Sequence, residues 1–176
     1  FPLPIRCKDA VIRETLTDGA DMEALKEAVR DAVFRRVPET LAGCKNLYIM
    51  PAPYLSLFFD GCVENARDIS LGCVYNNFGL HGTGLAPAAD MLAAVDTAVF
   101  HGDVKPEALL AAMRGNFEGA DALRDLLKNH CPKVGNDDDR ADAYVCWLLD
   151  VFSQAVKGLK NERGGIVRAG TGSAMY

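Results

Sequence analysis

The chain has 176 residues, of which 49% are hydrophobic, and its formal net charge is −5. This length is typical of about one domain, and the composition supports a hydrophobic core rather than a disordered segment. Lys and Arg are spread among the acidic residues, so no basic face indicates nucleic acid, and no apolar run approaches the ~20 residues of a membrane span. We therefore expect one folded unit that contacts neither nucleic acid nor membrane.

Six cysteines are distributed over the chain without Cys-x-x-Cys spacing. A chain this rich in core residues does not need disulfide bonds for stability, and such bonds are rare in reducing compartments. The sequence therefore predicts free thiols and a cytoplasmic location. The cysteines are Cys7, Cys44, Cys62, Cys73, Cys131 and Cys146.

Apolar residues recur at helical spacing through most of the chain, which predicts a helix-rich α/β fold. Pro38 is expected to follow the end of the first long helix, and residues 39–46 form either a helix or a loop. β-Prone residues at 73–75 and 166–176 predict strands. The expected helices cover residues 21–37, 54–66, 86–100, 121–127 and 141–159, with a further one beginning at Pro106.

Three glycines, Gly79, Gly82 and Gly84, lie between the first predicted strand and the 86–100 helix. Glycine permits close approaches and backbone angles that a side chain forbids, so their clustering predicts a tight turn. Thr83 is suited to cap the following helix, and Pro87 is suited to its first turn. A strand, a turn and a helix in this order can hold a ligand, and they can equally serve packing alone.

Three consecutive carboxylates at 137–139 precede the 141–159 helix. They lack the spacing of a calcium loop, and acidic residues are favoured at a helix N-terminus, so we interpret them as a cap. The histidines are too scattered to predict a metal site. One of them, His81, lies inside the glycine turn, where it either hydrogen-bonds the turn or transfers a proton; the others are His101 and His130.

Four short motifs, taken in order, resemble one family. They are the stretch 51–98, Asn-Phe-Glu-Gly at 116–119, Pro-Lys-Val-Gly-Asn-Asp-Asp-Asp at 132–139, and Asn-Glu-Arg-Gly-Gly at 161–165. Together they resemble the glycyl radical enzymes related to pyruvate formate-lyase, in the branch of the diol dehydratases, choline lyase and hydroxyproline dehydratase. The resemblance covers residues 47–176, and the first 46 residues carry no motif.

This resemblance implies a fold and a chemistry. The fold would be part of a ten-stranded α/β barrel wrapped by helices, with 1–176 as a single partial domain. The chemistry would be radical hydrogen abstraction from a small polar substrate by a lyase or dehydratase. A separate activating enzyme, using S-adenosylmethionine and an iron–sulfur cluster, would install the glycyl radical, so this chain itself would bind no cofactor. The implied partners are the remainder of the barrel, the activating enzyme and a second copy of the protein.

The resemblance also implies that the radical glycine lies beyond Tyr176 and the relay cysteine before Phe1. We therefore expect the chain to be inactive alone. Gly-Cys-Val-Glu at 61–64 spells the family's cysteine motif and makes Cys62 a candidate catalytic residue. Its apolar neighbours, Phe58 and Phe59, favour a structural interpretation instead, because a cysteine there usually acts as a small hydrophobe.

Three residues are the predicted substrate contacts if the resemblance holds: Tyr75, Asn77 and His81. A strand over 74–77 would direct Tyr75 and Asn77 to the barrel interior, with Phe78 on the opposite side. Asn77 stands where relatives carry an aromatic residue, which favours a small polar substrate over a cation. Two functions of other classes stay open: a non-catalytic helical interaction domain, and a module that binds anions at the glycine turn.

Overall fold

The computed structural model describes residues 6–17 and 21–172 of the chain. Helices form most of this part. They are α1 (Arg6–Thr17), α2 (Met22–Gly43), α3 (Pro53–Ser56), α4 (Ile69–Gly72), α5 (Leu85–Val95), α6 (Pro106–Arg114), α7 (Asp121–Asp125) and α8 (Asp139–Val156). Two of them continue as single π-helical turns, α5 over Asp96–Phe100 and α7 over Leu126–His130. In the described part of the chain, no helix is both long and apolar enough to cross a membrane.

Two short strands, β1 (Phe78–Gly82) and β2 (Val167–Thr171), pair in parallel. The register places Phe78 opposite Val167 and Gly82 opposite Thr171. Parallel pairing requires a long crossover, and here the crossover is the whole α5–α8 region. The fold is therefore helix-rich α/β, as the sequence predicts.

The main core lies between α1, α2, α5, α6 and α8. Leu25 of α2 and Ala89 of α5 are fully buried within it, and Leu148 of α8 packs against the same cluster. α5 carries several small side chains on its buried face, and it lies along α8. Small residues at a helix contact permit a short interaxial distance, so α5 can anchor α8 closely.

A second core cluster covers the inner face of the strands. Leu80 of β1 and Val167 of β2 are buried there with Val37 of α2 and Phe152 of α8. Gly82 allows this contact, because a Cβ at that position would lie 3.3 Å from the Phe152 ring. One glycine of the predicted turn is therefore required by packing.

The prediction that the first long helix ends before Pro38 is wrong. α2 begins as expected after Asp21, whose side chain accepts a hydrogen bond from the Ala24 amide at 2.9 Å. It then continues through Pro38 to Gly43. A proline removes one helical hydrogen bond. The helix nevertheless continues, because the neighbouring Val37 is buried in the second core cluster, where it is 1% exposed.

Two further predictions in the middle of the chain are wrong. The predicted strand at 73–75 is irregular, and the strand begins later, at Phe78. The predicted helix at 54–66 is limited to α3, and turns follow it. Gly61 and Ala66 adopt positive φ angles of 87° and 47°, which a continuous helix does not permit.

Several helix boundaries agree with the sequence. α6 begins at Pro106, and the 86–100 helix appears as α5 with its π-helical turn. Among the three carboxylates, Asp138 caps α8 by accepting a hydrogen bond from the Arg140 amide at 3.1 Å. Thr83 does not cap α5, because Gly84 occupies that position with a φ of 72°.

Candidate functional site

The outer face of the β1–β2 pair presents an imidazole surrounded by glycines. His81 is exposed, and its ring lies over Gly79, Gly170 and Gly172. A Cβ at Gly79 would lie 3.3 Å from Nε2 of this ring, and a Cβ at Gly172 would lie 3.3 Å from Nδ1. Any larger residue at these positions would displace the ring, so the glycines create the space that His81 occupies.

One buried side chain, that of Asn161, joins the residues just before β1 to the turn just before β2. Asn161 is 6% exposed, and its Nδ2 donates to the carbonyl oxygen of Asn76 at 2.6 Å. Its Oδ1 accepts from the Arg163 and Gly165 amides, both at 2.9 Å. A single asparagine thus closes the 161–165 turn and ties it to the residues before β1.

Asn77 and Gly165 complete the junction. The side-chain oxygen of Asn77 accepts a hydrogen bond from the Ile166 amide at 3.0 Å, and the Phe78 amide donates to the Ile166 carbonyl at 3.0 Å. A Cβ at Gly165 would overlap the carbonyl oxygen of Asn76. Only glycine fits at position 165, so a steric requirement explains the last glycine of the 161–165 motif.

Arg163 links the junction to the segment before α3. Its side chain is only 10% exposed, and its guanidinium lies 5.7 Å from the centre of the Phe78 ring. One of its nitrogens donates to the carbonyl oxygen of Leu47 at 3.4 Å. The neighbouring Glu162 accepts a hydrogen bond from the Asn46 amide at 2.7 Å. The 161–165 turn therefore positions three parts of the chain at once.

The three predicted substrate contacts do not have equivalent surroundings. Tyr75 lies in the irregular stretch before β1 and is 80% exposed. Asn77 uses its amide oxygen for the junction, and strand alternation places His81 on the face opposite Phe78. Of the three, His81 has its ring in a defined position against the backbone of both strands.

Cys62 is buried beside another thiol. It is 2% exposed, and its sulfur lies 3.8 Å from the sulfur of Cys73. Burial, followed by the hydrogen bond with Cys73, raises the pKa of Cys62. Buried packing of this kind is typical of a cysteine that acts as a small hydrophobe, which agrees with the structural interpretation of the Gly-Cys-Val-Glu motif.

Asp68 is the centre of a group of hydrogen bonds, here called the Asp68 hub, that orders the stretch around α3 and α4. The sequence analysis did not predict it. The Asp68 carboxylate accepts hydrogen bonds from the Ala52 amide at 2.8 Å, the Ser56 hydroxyl at 2.9 Å and the Ser70 amide at 3.0 Å. These bonds, with that of the Ser70 amide first, lower the pKa of Asp68. The Asp-x-Ser spacing of a short N-cap is the sequence signal that could have found it.

Residues 47–75 also expose many large apolar side chains, which we call the apolar surface. Isolated exposed hydrophobics are ordinary, but a contiguous set indicates an interaction site. Nine members are at least 60% exposed: Tyr48, Met50, Tyr54, Leu57, Phe58, Val63, Leu71, Val74 and Tyr75. Hydrogen bonds order this segment from within, so it has a defined shape without a cover.

Cavities also lie elsewhere in the described part of the fold. An apolar one of about 100 Å³ separates α1 and α2 from α5 and α8. A larger cleft of about 520 Å³ lies between α1, α5, α6 and α7, and Asp90 is its acidic residue. Its basic residues are Arg13, Arg124, Lys128 and Lys133. Lys133 already donates a hydrogen bond to the Leu127 carbonyl at 2.9 Å, so this lysine stabilises the π-helical turn that follows α7.

No group of three or more His, Cys, Asp or Glu side chains that could hold a metal ion occurs in residues 6–17 and 21–172.

Comparison with known proteins gives consistent matches. The family model described as pyruvate formate lyase-like matches residues 15–175. Trans-4-hydroxy-L-proline dehydratase of Clostridioides difficile is 36% identical over 123 residues, which cover 68% of this chain and 15% of that protein. (2S)-3-sulfopropanediol dehydratase of Klebsiella oxytoca is 31% identical over 120 residues, which cover 66% of this chain and 14% of that protein.

Among solved structures, a glycyl radical enzyme from Archaeoglobus fulgidus superposes with a TM-score of 0.78 and 30% identity. The match covers 93% of this chain and 24% of that one. The chain thus spans about a seventh of the curated relatives' length and about a quarter of this solved structure. The family match contains β1, the 161–165 turn and β2. The chain belongs to the pyruvate formate lyase-like family of glycyl radical enzymes.

Proposed function

We propose that this chain forms part of a glycyl radical dehydratase or lyase, in which β1 and β2 are neighbouring strands of a ten-stranded barrel. The parent enzyme would act on a small polar substrate by radical hydrogen abstraction. The names of two relatives, both dehydratases of small hydroxylated molecules, support this class of reaction.

The observation that carries the proposal is the uncovered outer face of the β1–β2 pair. Parallel sheets occur almost always with both faces covered and with more than two strands. Here the inner face is buried against α2 and α8, whereas the outer face holds His81 and glycines. A barrel built onto this pair would turn that outer face toward its interior.

In this arrangement His81 is the best-supported substrate contact. An imidazole can accept or donate a proton near neutral pH, and dehydration requires a proton for the departing hydroxyl group. Asn77 would position β1 through its bond to Ile166, and Tyr75 would approach the substrate from the stretch before the strand. An enclosed, dry barrel interior protects such a reaction from water.

The radical itself would come from a partner. A separate activating enzyme, with S-adenosylmethionine and an iron–sulfur cluster, would generate the radical on a glycine of the parent protein. We place the parent protein in the cytoplasm as a homo-oligomer. Cys62 stays a structural thiol in this scheme, because it packs at 2% exposure against Cys73 and not at the outer face of the β1–β2 pair that holds His81.

The first experiment concerns the chain alone. We expect no glycyl radical doublet in electron paramagnetic resonance after incubation with an activating enzyme, reductant and S-adenosylmethionine, and no dehydratase turnover. The reason is that neither a radical-storing glycine nor a relay cysteine has a credible copy among residues 1–176. A protein-centred doublet on this chain would contradict the scheme.

The second experiment tests the site directly. The matched segment of the Clostridioides difficile hydroxyproline dehydratase is replaced by this chain, and the chimera is activated. We expect a glycyl radical, and His81→Ala should then lower turnover by roughly 10²-fold or more without loss of the radical. His130→Ala is the matched control, since His130 is also exposed but lies on the π-helical turn after α7. Equal turnover in both variants would remove His81 from the substrate site.

A second function, anion binding, has one specific observation in its favour. The 520 Å³ cleft carries Arg124 and Lys128 at its exposed side. Titration of the chain with citrate, followed by calorimetry, tests it. A binding isotherm that Arg124→Gln weakens and Arg114→Gln leaves unchanged would support a binding module over a barrel segment.

A further inference from the structure

Two thiols of the chain meet inside the segment that bears the apolar surface. The sulfurs of Cys62 and Cys73 are 3.8 Å apart, and both cysteines are free. A disulfide bond requires an S–S distance of about 2.05 Å, so a movement of less than 2 Å would bring the sulfurs to bonding distance. The sequence separation of eleven residues gave no indication of this contact.

The backbone around both cysteines holds them together. The Val74 amide donates to the Asp60 carbonyl at 3.0 Å, which joins the residue after Cys73 to the residue two positions before Cys62. Gly61 packs closely against the backbone just before Cys73, since a Cβ at position 61 would lie 2.8 Å from the Gly72 carbonyl oxygen. The pairing of Cys62 with Cys73 is therefore a property of the fold rather than of two flexible side chains.

We propose that Cys62 and Cys73 are a modification site that forms a reversible intramolecular disulfide with a small-molecule disulfide as oxidant. Their exposures differ in a way that gives each a role. Cys73 is partly exposed and can meet the oxidant, whereas Cys62, at 2% exposure, can reach only its neighbour.

The chemistry balances in two exchange steps. Cys73, as thiolate, attacks one sulfur of the oxidant RS–SR, which gives a mixed disulfide on Cys73 and releases RS⁻. Cys62 then attacks the Cys73 sulfur, the Cys62–Cys73 bond forms, and the second RS⁻ departs. The two thiol protons are taken up by the two thiolates released, so two thiols of the protein are oxidised and two RSH molecules are produced.

The second step is expected to be the slower one. Burial of the thiol raises the pKa of Cys62, and the negative side chains of Asp68 and Glu64 act in the same direction; these causes persist when Cys73 is in the mixed disulfide. The fraction of attacking thiolate is small near neutral pH, so a mixed disulfide on Cys73 should be detectable before the bridge closes.

The experiment uses the full chain and oxidised glutathione, with peptide mapping by mass spectrometry under non-reducing conditions. We expect a linked peptide pair containing Cys62 and Cys73, preceded by glutathione on Cys73 and reversed by dithiothreitol. Once the wild-type bridge has closed, Cys62→Ser should carry at least tenfold more glutathione on Cys73 than wild type. Cys146→Ser, which changes an exposed cysteine outside the segment, should behave as wild type.

Two results would overturn the proposal. One is a wild-type chain that keeps glutathione on Cys73 at the level of the Cys62→Ser variant. The other is a bridge from Cys73 to any cysteine except Cys62. Because Cys62→Ser changes a buried residue, Cys73→Ser provides an independent check: it should leave Cys62 unmodified by glutathione, and glutathione on Cys62 would contradict the assigned order.

Discussion

Asn161 holds the carbonyl of Asn76, 85 positions earlier in the chain, with a hydrogen bond of 2.6 Å. This contact joins the residues that enter β1 to the turn that precedes β2. It therefore decides whether the two strands meet in the observed register.

Replacing Asn161 by Ala should destabilise the chain. The variant leaves the Asn76 carbonyl and the Gly165 amide without their partner in a buried position, and each unsatisfied group costs about 1–3 kcal/mol. The measurement is the free energy of urea unfolding. Asn129→Ala is the control, because Asn129 is exposed and bonds Asp125 within the same helical stretch, and its effect should stay within about 0.5 kcal/mol.

Gly165→Ala should be destabilising by about 1–3 kcal/mol, because the added methyl group would overlap the Asn76 carbonyl. Gly43→Ala is a matched variant, since a Cβ at Gly43 meets nothing within 4 Å and the residue ends α2. It should be neutral or stabilising by up to about 1 kcal/mol. Equal losses in urea midpoint for the two variants would contradict the steric role of Gly165.

The Asp68 hub should make local order depend on pH. Its lowered pKa means that the carboxylate stabilises the segment above the ordinary aspartate pKa of about 4, and that this contribution is lost as pH falls through the folded-state pKa. Hydrogen exchange of the Ala52 and Ser70 amides, corrected for intrinsic rates, measures it. Protection should exceed that of Asp68→Asn at pH 7 and match it near pH 2.

A control variant separates the hub from general acid effects. Asp103→Asn changes an exposed carboxylate in the loop before α6, and it should leave the protection of both amides unaltered at each pH. Should Asp68→Asn retain full protection at pH 7, the hub would not order the segment.

The apolar surface should cause the isolated chain to self-associate. Tyr54 and Phe58 are 85% and 83% exposed, and exposed contiguous apolar area favours association. We expect Tyr54→Ser with Phe58→Ser to lower the concentration-dependent sedimentation coefficient toward the monomer value. Phe34→Ser, which alters a 42%-exposed ring on α2 outside this segment, should leave association as it is. Identical sedimentation of all three proteins would contradict the prediction.

Sequence reasoning predicted most of the helices, because their signals are local. Apolar spacing, Pro106 at a first turn and Asp138 at a cap need only neighbouring residues to be interpreted. The continuation of α2 through Pro38 was missed, since the burial of Val37 depends on strands that are distant in sequence.

The candidate site was harder to predict from the sequence, because its contacts also join residues that are distant in the chain. His81 could be selected for its position among glycines, but Gly170 belongs to β2 and Gly172 follows it, and only the parallel pairing brings them under the ring. The strand was placed too early because Cys73, Val74 and Tyr75 have β-prone side chains, whereas the true strand contains two glycines and is fixed by its partner. Asn161 was noticed as part of the 161–165 motif, but its bond to Asn76 depends on a residue 85 positions away and had no local signal.

The parallel pairing of β1 and β2 also has a consequence for the order of folding. Asn77 and Ile166 are bonded across 89 positions, and a loop of that length must be closed before the strands gain any contact. Helices form in about a microsecond from neighbouring residues, whereas non-local strand pairing is slow. The α5–α8 crossover must therefore become compact first and bring the two strands together. β1 and β2 then pair last, and His81 reaches its position among the glycines at the end of folding.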